Sequence, residues 1–309
     1  MEEILVTGGN GFLGSHLVEK ALQEGYNVTV IDDFSTMHNM NIPDGVRIIK
    51  RRIEDTQLDE RFDYIVHMAA RPSPEDYTLN PVETLLSNSI GTYNTLLLSK
   101  KYDSRFIYTS SSEVYGNSSV IPTPETYYGY VNPNGVRSCY DEGKRYSEAL
   151  IMAFHRKYGL DVRIQRPFNV YGPRIRADGQ YGRVIPRFIS QALHQQEITL
   201  HGDGSQTRSF LYISDWVEAT WRMITQHDLS GEVLNIGSEE EIRVLDLASM
   251  ILELTGSSSK ITYHPKREDD PPRRCPDITK ANKLLGWKPK VYLREGLVKT
   301  ISWFKEALN

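Results

Sequence analysis

The sequence predicts an α/β fold: a doubly wound parallel sheet followed by a smaller α/β lobe. Three observations carry that expectation. Short apolar β-branched runs take turns with helical patterns through the first half of the chain. The runs are apolar throughout, as strands covered on both faces are. A glycine-rich turn follows the first of them directly and opens a helix.

The elements follow in order. "ILVTG" reads as the first strand and "LGSHLVEKALQEG" as the first helix, with "YNVTVIDD", "VRIIKR", "FDYIVHMAA", "RFIYTS" and "DVRIQRP" as later strands. Two helices, Pro81 to Tyr102 and Tyr140 to Tyr158, carry apolar residues over more than one stripe. Each therefore has a second face to bury, inside the subunit or against a second copy in a homodimer. After Pro167 the pattern loosens into Gly-, Pro- and Arg-rich loops around a helix in "RVIPRFISQALHQ", and "GEVLNIGS" returns the chain to the sheet. An amphipathic helix in "RVLDLASMILELTG", a charged loop "HPKREDDPPRRCPD" and a last helix, Leu293 to Leu308, complete the pattern. The expected division is a dinucleotide unit over 1–168, rejoined at about 207–237, and a substrate lobe over 169–206 and 238–309.

The 309 residues are enough for a large core, and 39% hydrophobic with 25% charged residues is ordinary for a soluble globule. A net charge of −4 argues against a nucleic-acid partner, and no apolar run approaches the length of a membrane span. Cys139 and Cys275 match neither a disulfide framework nor a zinc spacing, so no metal is expected. Those cysteines, and a start in "MEEILVTGG" without the marks of a signal peptide, lead to the expectation of a cytoplasmic protein complete at its N-terminus.

The turn Thr7-Gly8-Gly9-Asn10-Gly11-Phe12-Leu13-Gly14 places glycines at 8, 11 and 14. Glycine permits the tight turn and the close approach of backbone to a pyrophosphate, which the helix N-terminus then attracts. The second strand ends in Asp32-Asp33, eighteen residues past Gly14, where a carboxylate accepts hydrogen bonds from an adenosine ribose. It would repel a 2′-phosphate, so the cofactor expected is NAD rather than NADP.

"TSSSEVYG", Thr109 to Gly116, puts three serines and a carboxylate where a strand of the sheet ends, the edge at which open parallel sheets bind ligands. Tyr140 and Lys144 stand four apart on one helix face. An ammonium near a phenol lowers its pKa and makes it a usable base. With the glycine turn and "HMAA", these residues resemble the extended short-chain dehydrogenase/reductases that act on nucleotide sugars. The resemblance implies a Rossmann-type sheet, with Phe12, Leu13 and Ala69 along NAD and Ile53 at its adenine. It also implies that Ser111 binds the sugar hydroxyl being oxidised, Tyr140 takes its proton and Lys144 binds the nicotinamide ribose.

Ser111-Ser112-Glu113 is similar to the Thr-Ser-Glu of the UDP-glucuronate decarboxylase branch. The dehydratase branch has an Asp where Ser112 stands, and simple 4-epimerases usually lack the Glu. "NPNGVRSCYDEGKR", "ARPSPEDYTLNPVETL" and "DDPPRRCPDITKANKLLGW" resemble the same branch, which places a catalytic Arg at the position of Arg274. Arg52, Val136 and Cys275 depart from its usual residues. The resemblance implies that UDP-glucuronate is oxidised at C4 to a β-keto acid, loses CO₂, and is reprotonated at C5 and reduced to UDP-xylose. Ser112 belongs to the same catalytic stretch, and Glu113 and Arg274 would steer the carboxylate and the C5 proton. Arg208, Arg267 and Asn169 would hold the phosphates of the UDP-sugar, with Tyr171 and His201 beside its uridine. The competing enzyme reading is a UDP-sugar 4-epimerase, which shares the first hydride step. A non-catalytic dinucleotide sensor would be expected to have lost the Tyr140/Lys144 pair.

Overall fold

The computed structural model describes residues 1–36, 40–177, 183–266 and 270–307. Seven strands form the main sheet: β1 (Glu3–Thr7), β2 (Asn27–Asp32), β3 (Arg47–Lys50), β4 (Tyr64–His67), β5 (Arg105–Thr109), β6 (Val162–Pro167) and β7 (Val233–Ile236). Their order across the sheet is β7-β6-β5-β4-β1-β2-β3, and every pair is parallel. Residues such as Ile4, Val6, Ile65, Phe106, Ile107 and Val162 are wholly buried, which is why the central strands β1, β4 and β5 carry unbroken apolar runs.

The helices are α1 (Phe12–Gln23), α2 (Pro74–Leu79), α3 (Pro81–Leu86), α4 (Thr92–Tyr102), α5 (Ser138–Tyr158), α6 (Val184–Leu193), α7 (Ile213–Thr225), α8 (Val244–Thr255), α9 (Thr279–Leu285) and α10 (Leu293–Ala307). The single helix expected from Pro81 to Tyr102 is divided by a π-helical stretch, Ser87–Gly91. A widened turn of this kind re-aims the side chains on either side of it. Here it lays Gly91 against Ile53, whose side chain a Cβ on Gly91 would approach to 2.6 Å, and Asn88 against Gly143 of α5. The other helix begins two residues before the expected Tyr140 and ends at Gly159, whose φ of +73° suits glycine.

Beyond β6 the chain builds three small sheets. Val170–Tyr171 pairs with Leu211–Tyr212, and Ile198–His201 with Ile261–His264. Thr207–Ser209 lies between Glu241–Arg243 and Arg273–Arg274, in a register that sets Arg208 opposite Arg274. The C-terminal segment is tied back to α7: Trp287 Nε1 donates to the Asp215 carbonyl at 3.0 Å, and Asp215 Oδ2 accepts from the backbone N–H of Lys290 at 3.0 Å and of Val291 at 2.9 Å. Replacing Asp215 with Ala strands those N–H groups, so Asp215→Ala is expected to lower stability by about 2 kcal/mol, read from the urea midpoint at unchanged m.

Candidate active site

A cavity of about 610 Å³ runs along the carboxyl ends of β1, β2, β4 and β5 and into the second lobe. It straddles the point between β1 and β4 where the strand order reverses. Thr7 and His67 close the two strands there. Thr7 Oγ1 accepts from the N–H groups of Met68 and Ala69 at 3.1 Å and shares a 2.7 Å hydrogen bond with His67 Nδ1. Burial pushes the His67 imidazole down to about 3, so it stays neutral and acts as a structural tie between strands and α4.

The glycine turn has the shape its sequence implied. A Cβ on Gly14 would stand 2.2 Å from the Gly8 carbonyl oxygen, and one on Gly8, at φ +72°, 2.9 Å from Ala69 N. The side chains stay out, leaving a backbone cradle at the start of α1 open to the cavity. Gly8, Gly11, Phe12, Leu13, Gly14, Asp32, Asp33, Ile53 and Ala69 all line it. Asp32 accepts from the backbone N–H of Asn10 at 2.9 Å and of Phe34 at 2.8 Å, and burial raises its pKa. Asp33 turns aside to cap Ser35. Of the two carboxylates that line the cavity, Asp32 is the one fixed to the glycine turn itself, and the cradle with this carboxylate fits NAD.

Farther along the cavity, Ser111 begins a 3₁₀ turn and accepts from the Glu113 N–H at 3.2 Å. Ser112 lines the wall beside it. Tyr140 and Lys144 come from α5, 5% and 2% exposed. The Tyr140 ring stacks on Tyr77 of α2 at 5.3 Å and 10°. Lys144 Nζ donates to the Thr109 carbonyl at 2.8 Å and lies 5.9 Å from the Tyr140 ring centroid. Burial pushes the phenol up to about 12, against a Ser111 hydrogen bond and the Arg183 charge, which pull it down. Burial likewise lowers Lys144 to about 7, with Glu148 one turn on raising it.

Glu113 is held by two guanidiniums. Arg274 holds both of its oxygens, Nη1 on Oε1 and Nη2 on Oε2 at 2.9 Å, and Arg137 Nη2 also reaches Oε2. Burial pushes the carboxyl up, but the two guanidiniums outweigh it and hold Glu113 below its ordinary range. Arg208 donates to Asp270 Oδ1 and the Thr207 carbonyl, each at 2.8 Å. Asn169 donates to the Ser209 carbonyl at 2.8 Å, and His201 Nδ1 lies 3.2 Å from the Pro265 carbonyl. These three line the cavity, whereas Arg267 falls outside the described residues. Tyr171 also reaches the cavity wall, packed beside Tyr212 and Phe210 at 2% exposure with its hydroxyl on the Leu293 carbonyl.

The sequence reading passed over Arg137 and Tyr77. Arg137 lies one helical turn before Tyr140, a spacing that sets both on one face and was there to be read. Tyr77 had no such signal, because its partner is reached only through α2.

A cradle, a ribose carboxylate and a buried Ser/Tyr/Lys group along one crevice are what an enzyme needs to oxidise a hydroxyl with a bound dinucleotide and reduce the product again. Residues 4–237 match the NAD dependent epimerase/dehydratase family, and the chain belongs to it; NAD is its cofactor. The chain is 46% identical over 311 aligned positions to UDP-glucuronic acid decarboxylase 4 of Arabidopsis thaliana, covering 99% of this chain and 69% of the plant protein. Among solved structures, UDP-glucose 4-epimerase of Thermotoga maritima with UDP-glucose superposes with a TM-score of 0.92 at 34% identity, over 99% of this chain and 100% of the epimerase. UDP-glucuronic acid 4-epimerase of Bacillus cereus, in complex with UDP-glucuronic acid and NAD, gives 0.89 at 30% identity over 99% of both chains.

Gly14→Ala is expected to weaken NAD binding at least about tenfold, measured by titration calorimetry, because the new methyl must push the Gly8 carbonyl out of the cradle. Glu113→Gln leaves two guanidiniums without their carboxylate and is expected to lower stability by about 3 kcal/mol at neutral pH. Since the native carboxyl is held below its ordinary range, that difference is full above the range and shrinks as pH falls through it, which urea unfolding of both proteins at several pH values reads out.

Proposed function

We propose that the protein decarboxylates UDP-glucuronate to UDP-xylose with NAD through a UDP-4-keto sugar. The observation that carries this reading is the Glu113 carboxylate, held by Arg274 and Arg137 on the wall of the cavity that contains Tyr140. The plant relative points the same way. NAD, when bound, supplies a hydride acceptor at C4 of the sugar and gives the hydride back at the end.

The chain's own residues move and hold the protons. Tyr140, as the phenolate that the positive charge of bound NAD and the Lys144 ammonium would favour, takes the proton of the C4 hydroxyl, with Ser111 holding the same oxygen. Lys144 has two N–H groups left after its bond to the Thr109 carbonyl and gives them to the nicotinamide ribose. As the carboxylate leaves as CO₂, its bonding electron pair collects on the C4 oxygen, where Tyr140 and Ser111 donate hydrogen bonds. Glu113 and Arg274 orient the departing carboxylate and order the proton that C5 regains, with Ser112 completing that wall. Arg208 offers its remaining donors to the phosphates together with Asn169 and Arg267, and His201 stands by the uridine.

Three broader readings accompany this one. The division into a dinucleotide unit over 1–168, rejoined at about 207–237, and a substrate lobe over the rest is supported by α7 packing beside α1 and by β7 joining β6. A homodimer is supported by Val82, Leu85, Ile90, Tyr93, Leu97 and Tyr146, exposed on the neighbouring surfaces of the 81–102 helical segment and α5. The unbridged, buried Cys139 and Cys275 support a reducing, cytoplasmic setting.

The epimerase structures favour a second reading, 4-epimerisation of UDP-glucuronate, and one experiment separates the two. Incubation with UDP-glucuronate and NAD, followed by proton NMR, is expected to yield UDP-xylose with two protons at C5 and release of CO₂. UDP-galacturonate without CO₂ would establish the epimerase instead. Tyr140→Phe is expected to lower turnover by about 10²–10⁴ in either case, with NAD binding retained.

A further inference from the structure

Glu113 meets guanidiniums from two separate parts of the chain. Arg274 comes from the strand Arg273–Arg274 in the second lobe, and Arg137 from the residue that precedes α5. A carboxylate with one guanidinium is a neutral pair; with two it keeps a unit of positive charge. The neighbouring charges do not remove that unit. Arg208 is matched by Asp270 at 2.8 Å. Asp141, whose Oδ2 stands 3.8 Å from Arg137 Nε, is 6% exposed, and its Oδ1 has no hydrogen-bond partner. Burial, and then the adjacent Glu113 charge, raise its carboxyl to about 7 against the pull of Arg137 and Arg274, so at neutral pH it offsets the excess only in part. The N-terminal end of α5 adds a positive dipole at the same place.

The result is a largely enclosed patch of cavity wall, one turn of helix from Tyr140, that carries excess positive charge. Electrostatic attraction acts more strongly there than at an exposed surface. Arg274 alone would leave the wall neutral and equally suited to a hexose and to a uronate.

We propose that Arg137 is a specificity-determining residue: by making the Glu113–Arg274–Arg137 cluster cationic, it selects a nucleotide sugar bearing a carboxylate over one whose sugar is uncharged. This rests on the uronate reading above. It assigns Arg137 an electrostatic role in binding, separate from the proton transfers at Tyr140.

The test is calorimetric titration of NAD-loaded protein with UDP-glucuronate and with UDP-glucose, in a Tyr140→Phe background that leaves the sugars unreacted. The background protein is expected to prefer UDP-glucuronate. Adding Arg137→Gln is expected to cut that preference at least about tenfold while UDP-glucose affinity stays within about twofold. Arg137→Lys, which keeps the charge and loses the planar fork, is expected to retain most of the preference. A Gln variant that keeps the full preference, or that weakens both sugars alike, overturns the proposal and leaves the decarboxylase reading standing. Should the Gln variant not fold, loss of preference in Arg137→Lys with UDP-glucose binding intact overturns it as well. A background protein with no preference for UDP-glucuronate overturns the substrate reading, and the role of Arg137 with it.

Discussion

A parallel sheet covered on both faces has only its strand ends to offer to solvent, and the site follows from that constraint. The glycine turn leaves β1, Asp32 ends β2, Ala69 follows β4, and Ser111 to Glu113 follow β5. With every strand pair parallel, all of these groups emerge at one edge. The reversal of strand order between β1 and β4 sends the connecting segments to opposite faces and opens the crevice between them. Thr7 and His67 tie its two walls together by buried hydrogen bonds that a neutral imidazole suffices to make.

Burial also sets the electrostatic state of Tyr140 and Lys144. A low-dielectric surrounding penalises phenolate and ammonium alike, so the Tyr140 pKa goes up and the Lys144 pKa goes down. Tyr140 in the free protein is therefore held neutral, with Ser111 as its hydrogen-bond partner. Glu113 is the opposite case. It too lies on the cavity wall, yet two guanidiniums keep it ionised, because charged hydrogen bonds outweigh desolvation.

The second lobe contributes by register rather than by bulk. Arg274 lies 161 residues from Glu113 in the chain, and Arg208 is opposite Arg274 only because Thr207–Ser209 runs parallel to Arg273–Arg274. The strands involved are two or three residues long and have no periodicity to mark them. What holds them is the return of the chain past Trp287 and Asp215 and the apolar packing of α6, α8 and α10.

Local signals determined much of this protein in advance. The alternation of apolar runs and helices sufficed for the sheet, the glycine spacing with Asp32 for the backbone cradle at the strand ends, and Tyr140 with Lys144 for the helix that brings both to the cavity, since each depends on residues close in sequence. Motif resemblance reached Glu113 and Arg274 as separate positions. Only the tertiary structure decided what those positions do to one another: that Arg137 joins Arg274 on a single carboxylate, that Tyr77 stacks on Tyr140, that Tyr171 is a core residue, and that a π-helical stretch divides the helix after Pro81. Charge pairing, burial and ring stacking depend on distances in space between residues far apart in the chain, and no periodicity or spacing along the sequence encodes those distances.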